Sequence, residues 1–121
     1  MAKTLFRYPG RFQWWSYTVS HGQLLLRSTP SSSRPTQIDV LFKDVTSVNL
    51  GTSIDDLEVI DPEGSGAVPS APQPSGGRRV YLVRGLGVEG YVVAGAVFHV
   101  EGQGTHSDQS PLIPVFPPPA K

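Results

Sequence analysis

Apolar and polar residues alternate at a period of two over most of the chain, which is the spacing of a half-buried strand. In "FQWWSYTV" (12–19), Trp15, Tyr17 and Val19 fall on one face. Phe12 and Trp14 fall on the other, with Ser16 and Thr18. Aromatic and β-branched residues suit a pleated surface. "QLLLRS" (23–28) has Leu24 and Leu26 on one face and Leu25 on the other. The intervening "SHGQ" is a tight turn around Gly22, so the two runs predict a β-hairpin.

"TPSSSRP" is a loop by composition. "TQIDVLFKDV" then resumes alternation, with Ile38, Val40 and Phe42 opposed to Asp39, Leu41 and Lys43. If Val45 joins Phe42 in the core, the register slips by one at Asp44, as a β-bulge does. "VTSVNL" extends this strand, and "DDLEVID" is a shorter one carrying Leu57 and Val59. "RRVYLVRG" opposes Val80, Leu82 and Arg84 to Tyr81 and Val83. "YVVAGAVFHVEG" is long enough for a helix, but its valines, aromatics and glycines favour one long strand over 91–100. That strand aligns Val92, Ala94, Ala96, Phe98 and Val100. The core is expected from Trp15, Tyr17, Val19, Leu24, Leu26, Ile38, Val40, Phe42, Val80 and Leu82.

No segment has the pattern of an amphipathic helix. The fold class is therefore all-β: a single small barrel, or two packed antiparallel sheets, of about six or seven strands. The chain reads as one domain over 1–110. It carries a long mobile loop at 61–77, "DPEGSGAVPSAPQPSGG", and an extended proline-rich tail at 111–121. Proline removes the amide donor that ladders and helices need, so the tail runs near polyproline II. Its Leu112, Ile113, Val115 and Phe116 are free to dock on the body.

Composition narrows the function classes. The formal net charge is zero, so no global field draws nucleic acid or an anionic membrane. Charge is nevertheless segregated: six basic groups against Asp39 alone in 1–43, and six acids with no base in 44–63. The absence of cysteine excludes disulfides and thiolate metal sites. The first ten residues lack a secretory apolar core, and no window approaches a membrane span of roughly 20 apolar residues. A soluble, cytoplasmic protein is the simplest expectation.

Candidate chemistry is sparse. Adjacent tryptophans on a strand point to opposite faces, and an outward Trp14 with Phe12 nearby is a candidate ligand or partner surface. Arg78 and Arg79 beside the long loop are candidates for the same role. His99 and His106, near Glu101 and Asp108, are of metal-ligand type, but their spacing fits no zinc signature. His21 sits in a turn. Gly85, Gly87 and Gly90 spell G-x-G-x-x-G, yet no strand–helix context accompanies them, so they read as a hairpin turn. No activated nucleophile is marked. "PLIP" and "PVFP" fit P-x-x-P, a pattern that docks in aromatic grooves.

"WSYTVSHGQLLLRS" followed by "IDVLFKDVTSV" resembles the opening strands of bacterial pleckstrin-homology-like domains. The resemblance spans about a third of the chain and implies an interaction or ligand module without catalytic residues. The expected function is a non-catalytic binding or protein-interaction module. It needs no cofactor or metal, and engages a protein partner or a second copy through an exposed strand edge, with a small ligand also open. One alternative is a small-ligand or metal-dependent enzyme on a β-barrel, with His99, Glu101 and His106 at its mouth. Another is a single-stranded nucleic-acid binder using Arg78, Arg79 and Trp14, a poor fit for a chain of zero net charge.

Overall fold

A computed structural model describes residues 3–19, 22–32, 34–62 and 76–102. Eight strands run in chain order: β1 (Lys3–Thr18), β2 (Gln23–Ser28), β3 (Gln37–Lys43), β4 (Ser47–Asn49), β5 (Ser53–Asp61), β6 (Arg79–Gly85), β7 (Val88–Ala94) and β8 (Ala96–Gly102). They form one antiparallel sheet in the order β4-β7-β6-β5-β1-β2-β3-β8. No α-helix occurs among the described residues, nor any helix long and apolar enough to cross a membrane. The expected six or seven strands become eight because two long extended runs are each interrupted. Asp44, at φ 59°, separates β3 from β4, and Gly95 separates β7 from β8.

The sheet is not closed into a barrel; β4 and β8 are its edges. Its two ends are nevertheless tied at one corner, because β3 leads into β4 and β7 into β8. There Thr46 N donates to Val93 O at 2.9 Å, and Gly95 N to Lys43 O at 2.9 Å. The curl this imposes creates one interior. Phe12, Leu24, Leu26, Ile38, Val40, Phe42, Val45, Ile54, Leu57, Val59, Tyr81, Val83, Val92 and Ala94 fill it. Each large apolar side chain buried there stabilises by roughly 1.5–3 kcal/mol.

The hairpin at Gly22 and the slip at Asp44 form as the sequence predicts, and Val45 does join Phe42. Three face assignments need correction. In β1 the pairing with β2 shifts between Trp14 and Ser16. Phe12 and Trp14, ahead of that shift, face the core, while Trp15, Tyr17 and Val19 are exposed. In β6 the alternation is real but inverted: Tyr81 and Val83 point inward, and Val80 joins Tyr91 and Val93 in a small second cluster. In the 91–100 run, Gly95 breaks the register, so Val97 rather than Ala96 packs on the core beyond Ala94. β5 and β6 are antiparallel neighbours. Of the predicted loop, 63–75 lie outside the described residues, as does the whole tail.

Candidate functional site

β1 is much longer than its partner β2. Among the described residues its first half pairs only with β5, from Lys3↔Asp61 onward, and β2 joins at Gln13↔Arg27. The sheet is thus open beside residues 3–10. Arg34 braces that opening from the β2–β3 loop. Its guanidinium donates to Ser28 O at 3.2 Å, Ser28 Oγ at 2.8 Å, Thr29 O at 3.2 Å and Thr36 O at 3.1 Å.

Phe6 and Tyr8 lean into this opening and meet β8 from across the interior. His99 pairs with Val40 and Glu101 with Ile38, so both share the core-facing side of the sheet. The His99 ring stacks on Phe6, with centroids 4.0 Å apart. Tyr8 Oη lies 2.6 Å from His99 Nδ1. Burial, and secondarily the negative charge of Glu101, hold the Tyr8 phenol above its ordinary pKa. The phenol is neutral at physiological pH and shares one proton-mediated bond with the imidazole. Thr36 Oγ1 donates to Glu101 Oε2. A depression of about 260 Å³ lies beside this cluster, lined by Arg7, Tyr8, Pro9 and Asp56. That is smaller than the pockets that hold drug-sized ligands, roughly 300–1,000 Å³.

This cluster contains the two members of the expected His99–Glu101–His106 mouth that are described; His106 and His21 lie outside the described residues. Among the described residues no group of three histidine, aspartate or glutamate side chains is placed to hold a metal. His99 and Glu101 are instead engaged by Tyr8 and Thr36. The arrangement can offer a hydrogen bond from an exposed imidazole edge.

The expected surface residues are dispersed. Phe12 is wholly buried, and Trp14 is half-buried against the core with an indole N–H that meets no acceptor. Neither presents an outward aromatic face. Arg79 is paired with Asp61 at the start of β6. Arg78 holds the Asp44 corner, with Nη2 3.0 Å from Oδ1 and Nε donating to the backbone carbonyl at 3.3 Å. The glycine-rich run is the hairpin turn expected, with Gly87 at φ 73° between paired Gly85 and Val88.

No family model, curated protein or solved structure matches the chain.

The surface aromatics that sequence reasoning missed lie on the outward face of β1, β2, β3 and β8. Trp15 is 37% exposed and Phe98 44% exposed. Arg27 Cζ sits 5.3 Å from the Trp15 ring, and Lys43 Nζ sits 5.3 Å from the Phe98 ring. Between these two rings, Arg27 and Asp39 form a two-bonded ion pair at 2.8 and 3.1 Å, in register across β2 and β3. The signal for this face was the doublet itself: one of two adjacent tryptophans had to point away from the core.

Proposed function

We propose that the protein is a non-catalytic interaction module that associates with a second copy of itself through the free edge of β8. One observation carries this reading. β8 is a seven-residue strand that, among the described residues, is paired along one side only, with β3 from Gln37↔Gly102 to Lys43↔Ala96. Its other side presents backbone donors and acceptors that a further strand can pair. "AVFHVEG" holds no Pro, Lys or bulge, and its one charged residue, Glu101, is engaged by Thr36. A two-fold axis through two β8 strands makes them antiparallel, which continues the pairing found throughout this sheet. The zero net charge of the chain offers no long-range repulsion between copies.

The non-catalytic part of the proposal is supported by the engagement of His99 and Glu101 with neighbouring side chains. The likeness to pleckstrin-homology-like domains points to the same functional class. The test combines analytical ultracentrifugation with amide hydrogen exchange of the intact chain, from low to high micromolar concentration. We expect a monomer–dimer equilibrium in which the 96–102 amides gain protection as the dimer forms. A chain that stays monomeric with unchanged exchange in β8 overturns the proposal, as does a dimer that leaves β8 unprotected.

A further inference from the structure

We infer that the depression at the β1–β5 bulge is a binding site for a small zwitterion, an α-amino acid with a short side chain. The pairing of β1 with β5 breaks between Tyr8↔Leu57 and Arg11↔Asp55. Pro9 and Gly10 fall in the gap on one strand and Asp56 on the other. Gly10 and Asp56 both take left-handed backbone, at φ 99° and 58°. That conformation is uncommon outside glycine, and aspartate and asparagine are among the residues that adopt it most readily. Backbone held in sparsely populated regions clusters at ligand sites, and bulges re-aim side chains there. Here the bulge gathers Arg7, Tyr8, Pro9 and Asp56 around one depression of about 260 Å³.

The two charged members define the ligand. Arg7 stands opposite Glu58 in the ladder, yet Glu58 accepts instead from Thr4 Oγ1 at 2.8 Å. Among the described residues the other arginines are engaged: Arg11, Arg27, Arg78, Arg79 and Arg84 by carboxylates, and Arg34 by carbonyl oxygens. Arg7 has no such partner among them, and it is exposed. Its guanidinium keeps a planar fork of donors that matches a carboxylate. Asp56 is also exposed, and its carboxylate is oriented from one side, since Gly10 N donates to Oδ1 at 3.0 Å. Its Oδ2, which meets no donor among the described residues, can accept from an ammonium group. Arg7 and Asp56 thus line one depression without pairing with each other. An anion alone is repelled by Asp56, and a cation alone by Arg7. A molecule that carries both charges is attracted twice. The volume suits a molecule smaller than a drug, and Pro9 offers its side chain an apolar contact. The site shares no residue with the β8 edge, so either proposal can fail without the other.

Proton–nitrogen correlation spectra of the intact chain, titrated in turn with L-alanine, propionate and ethylamine, test this. Propionate is alanine without its ammonium group, and ethylamine is alanine without its carboxylate. We expect L-alanine to shift the Arg7 Nε–H and Gly10 N–H signals saturably at millimolar concentration. Propionate and ethylamine should each bind weaker by about tenfold or more, the worth of one charge-assisted bond. Arg7→Gln and Asp56→Asn should each weaken alanine binding by about the same factor, read at Gly10. Asparagine keeps both the acceptor for Gly10 N and the tolerance of left-handed backbone, so a loss in that variant reports the charge and not the fold. No saturable shift with alanine overturns the inference. So does propionate or ethylamine binding as tightly as alanine, or undiminished binding in either variant.

Discussion

Removing one partner of the Arg27–Asp39 pair is expected to cost far more than removing both. Their side chains are 1% and 2% exposed, and the bonds are short and doubled. Charges this dry have already lost their hydration, and each compensates the other through two bonds. Asp39→Leu takes the carboxylate from a buried guanidinium, and Arg27→Met takes the guanidinium from a buried carboxylate; each should destabilise by about 3–5 kcal/mol. The double variant removes the uncompensated charge and places apolar groups beside Leu25 and Leu41. It should return to within about 1 kcal/mol of the parent, since buried pairs and well-packed apolar replacements are often equivalent.

Urea unfolding followed by tryptophan fluorescence measures this directly. With a slope of about 2 kcal/mol/M, a 4 kcal/mol loss lowers the midpoint by about 2 M, while the slope holds if the transition stays two-state. The Arg11–Asp55 pair is the control. Its side chains are 66% and 44% exposed at a similar distance of 3.1 Å, so Arg11→Ala should leave the unfolding midpoint nearly unchanged. Additive single and double effects at Arg27 and Asp39, or singles as mild as the control, would refute the claim that this outer face is dry.

Phe12→Ala should cost about 3–5 kcal/mol, because Phe12 is wholly buried in the main core. Trp15→Ala should cost much less by the same denaturation assay, and the reverse order would reinstate the other face of β1. Gly90→Ala should cost about 3 kcal/mol or more through overpacking, since an added Cβ lies 2.0 Å from Asn49 O. Chemical-shift changes centred on β4 and β7 are the check. Tyr8 and Tyr81 both carry raised phenol pKa values, chiefly from burial. Their protons are held more tightly in the folded state than in the unfolded one. The stability they contribute is complete below the ordinary value of 10.0 and is lost as pH climbs above it through the folded values. Tyrosinate absorbance should show late-titrating phenols, one fewer in Tyr8→Phe; a single titration at the ordinary value would remove the burial argument.

Much of this fold was legible in the period-two pattern. β2, β3, β6 and the later part of β5 follow from it, as do the turn at Gly22 and the slip at Asp44. What alternation leaves open is the side of the sheet that faces the core. Tyr81 and Val83 are no more apolar than Val80 and Leu82, and only the curl of the sheet selects the first pair. In β1 counting by twos groups Phe12 with Trp14 but leaves their side open in the same way, and past the bulge it fails, since Tyr17 then stands opposite core-facing Leu24. The opening beside Phe6 and Tyr8 was missed for another reason. "TLFRYPG" alternates, but its value depends on β1 outrunning β2, which is a property of pairing and not of the segment.

The same logic explains why one corner governs both candidate surfaces. Asp44 and Gly95 interrupt two strands that pair with each other on either side of the break. A Cβ on Gly95 would sit 3.1 Å from the Asp44 side chain, so the two interruptions fit only because one of them is glycine. Without the break, uninterrupted alternation from Val92 and Ala94 would turn Phe98 and Val100 inward and His99 and Glu101 outward. With it, His99 and Glu101 face Phe6 and Tyr8 across the interior, and Phe98 stands outside beside Leu41. Arg78 braces the corner through both the side chain and the backbone of Asp44. An arginine expected from the sequence to form part of a ligand or partner surface is thus placed to fix which side chains of β8 face inward and which outward.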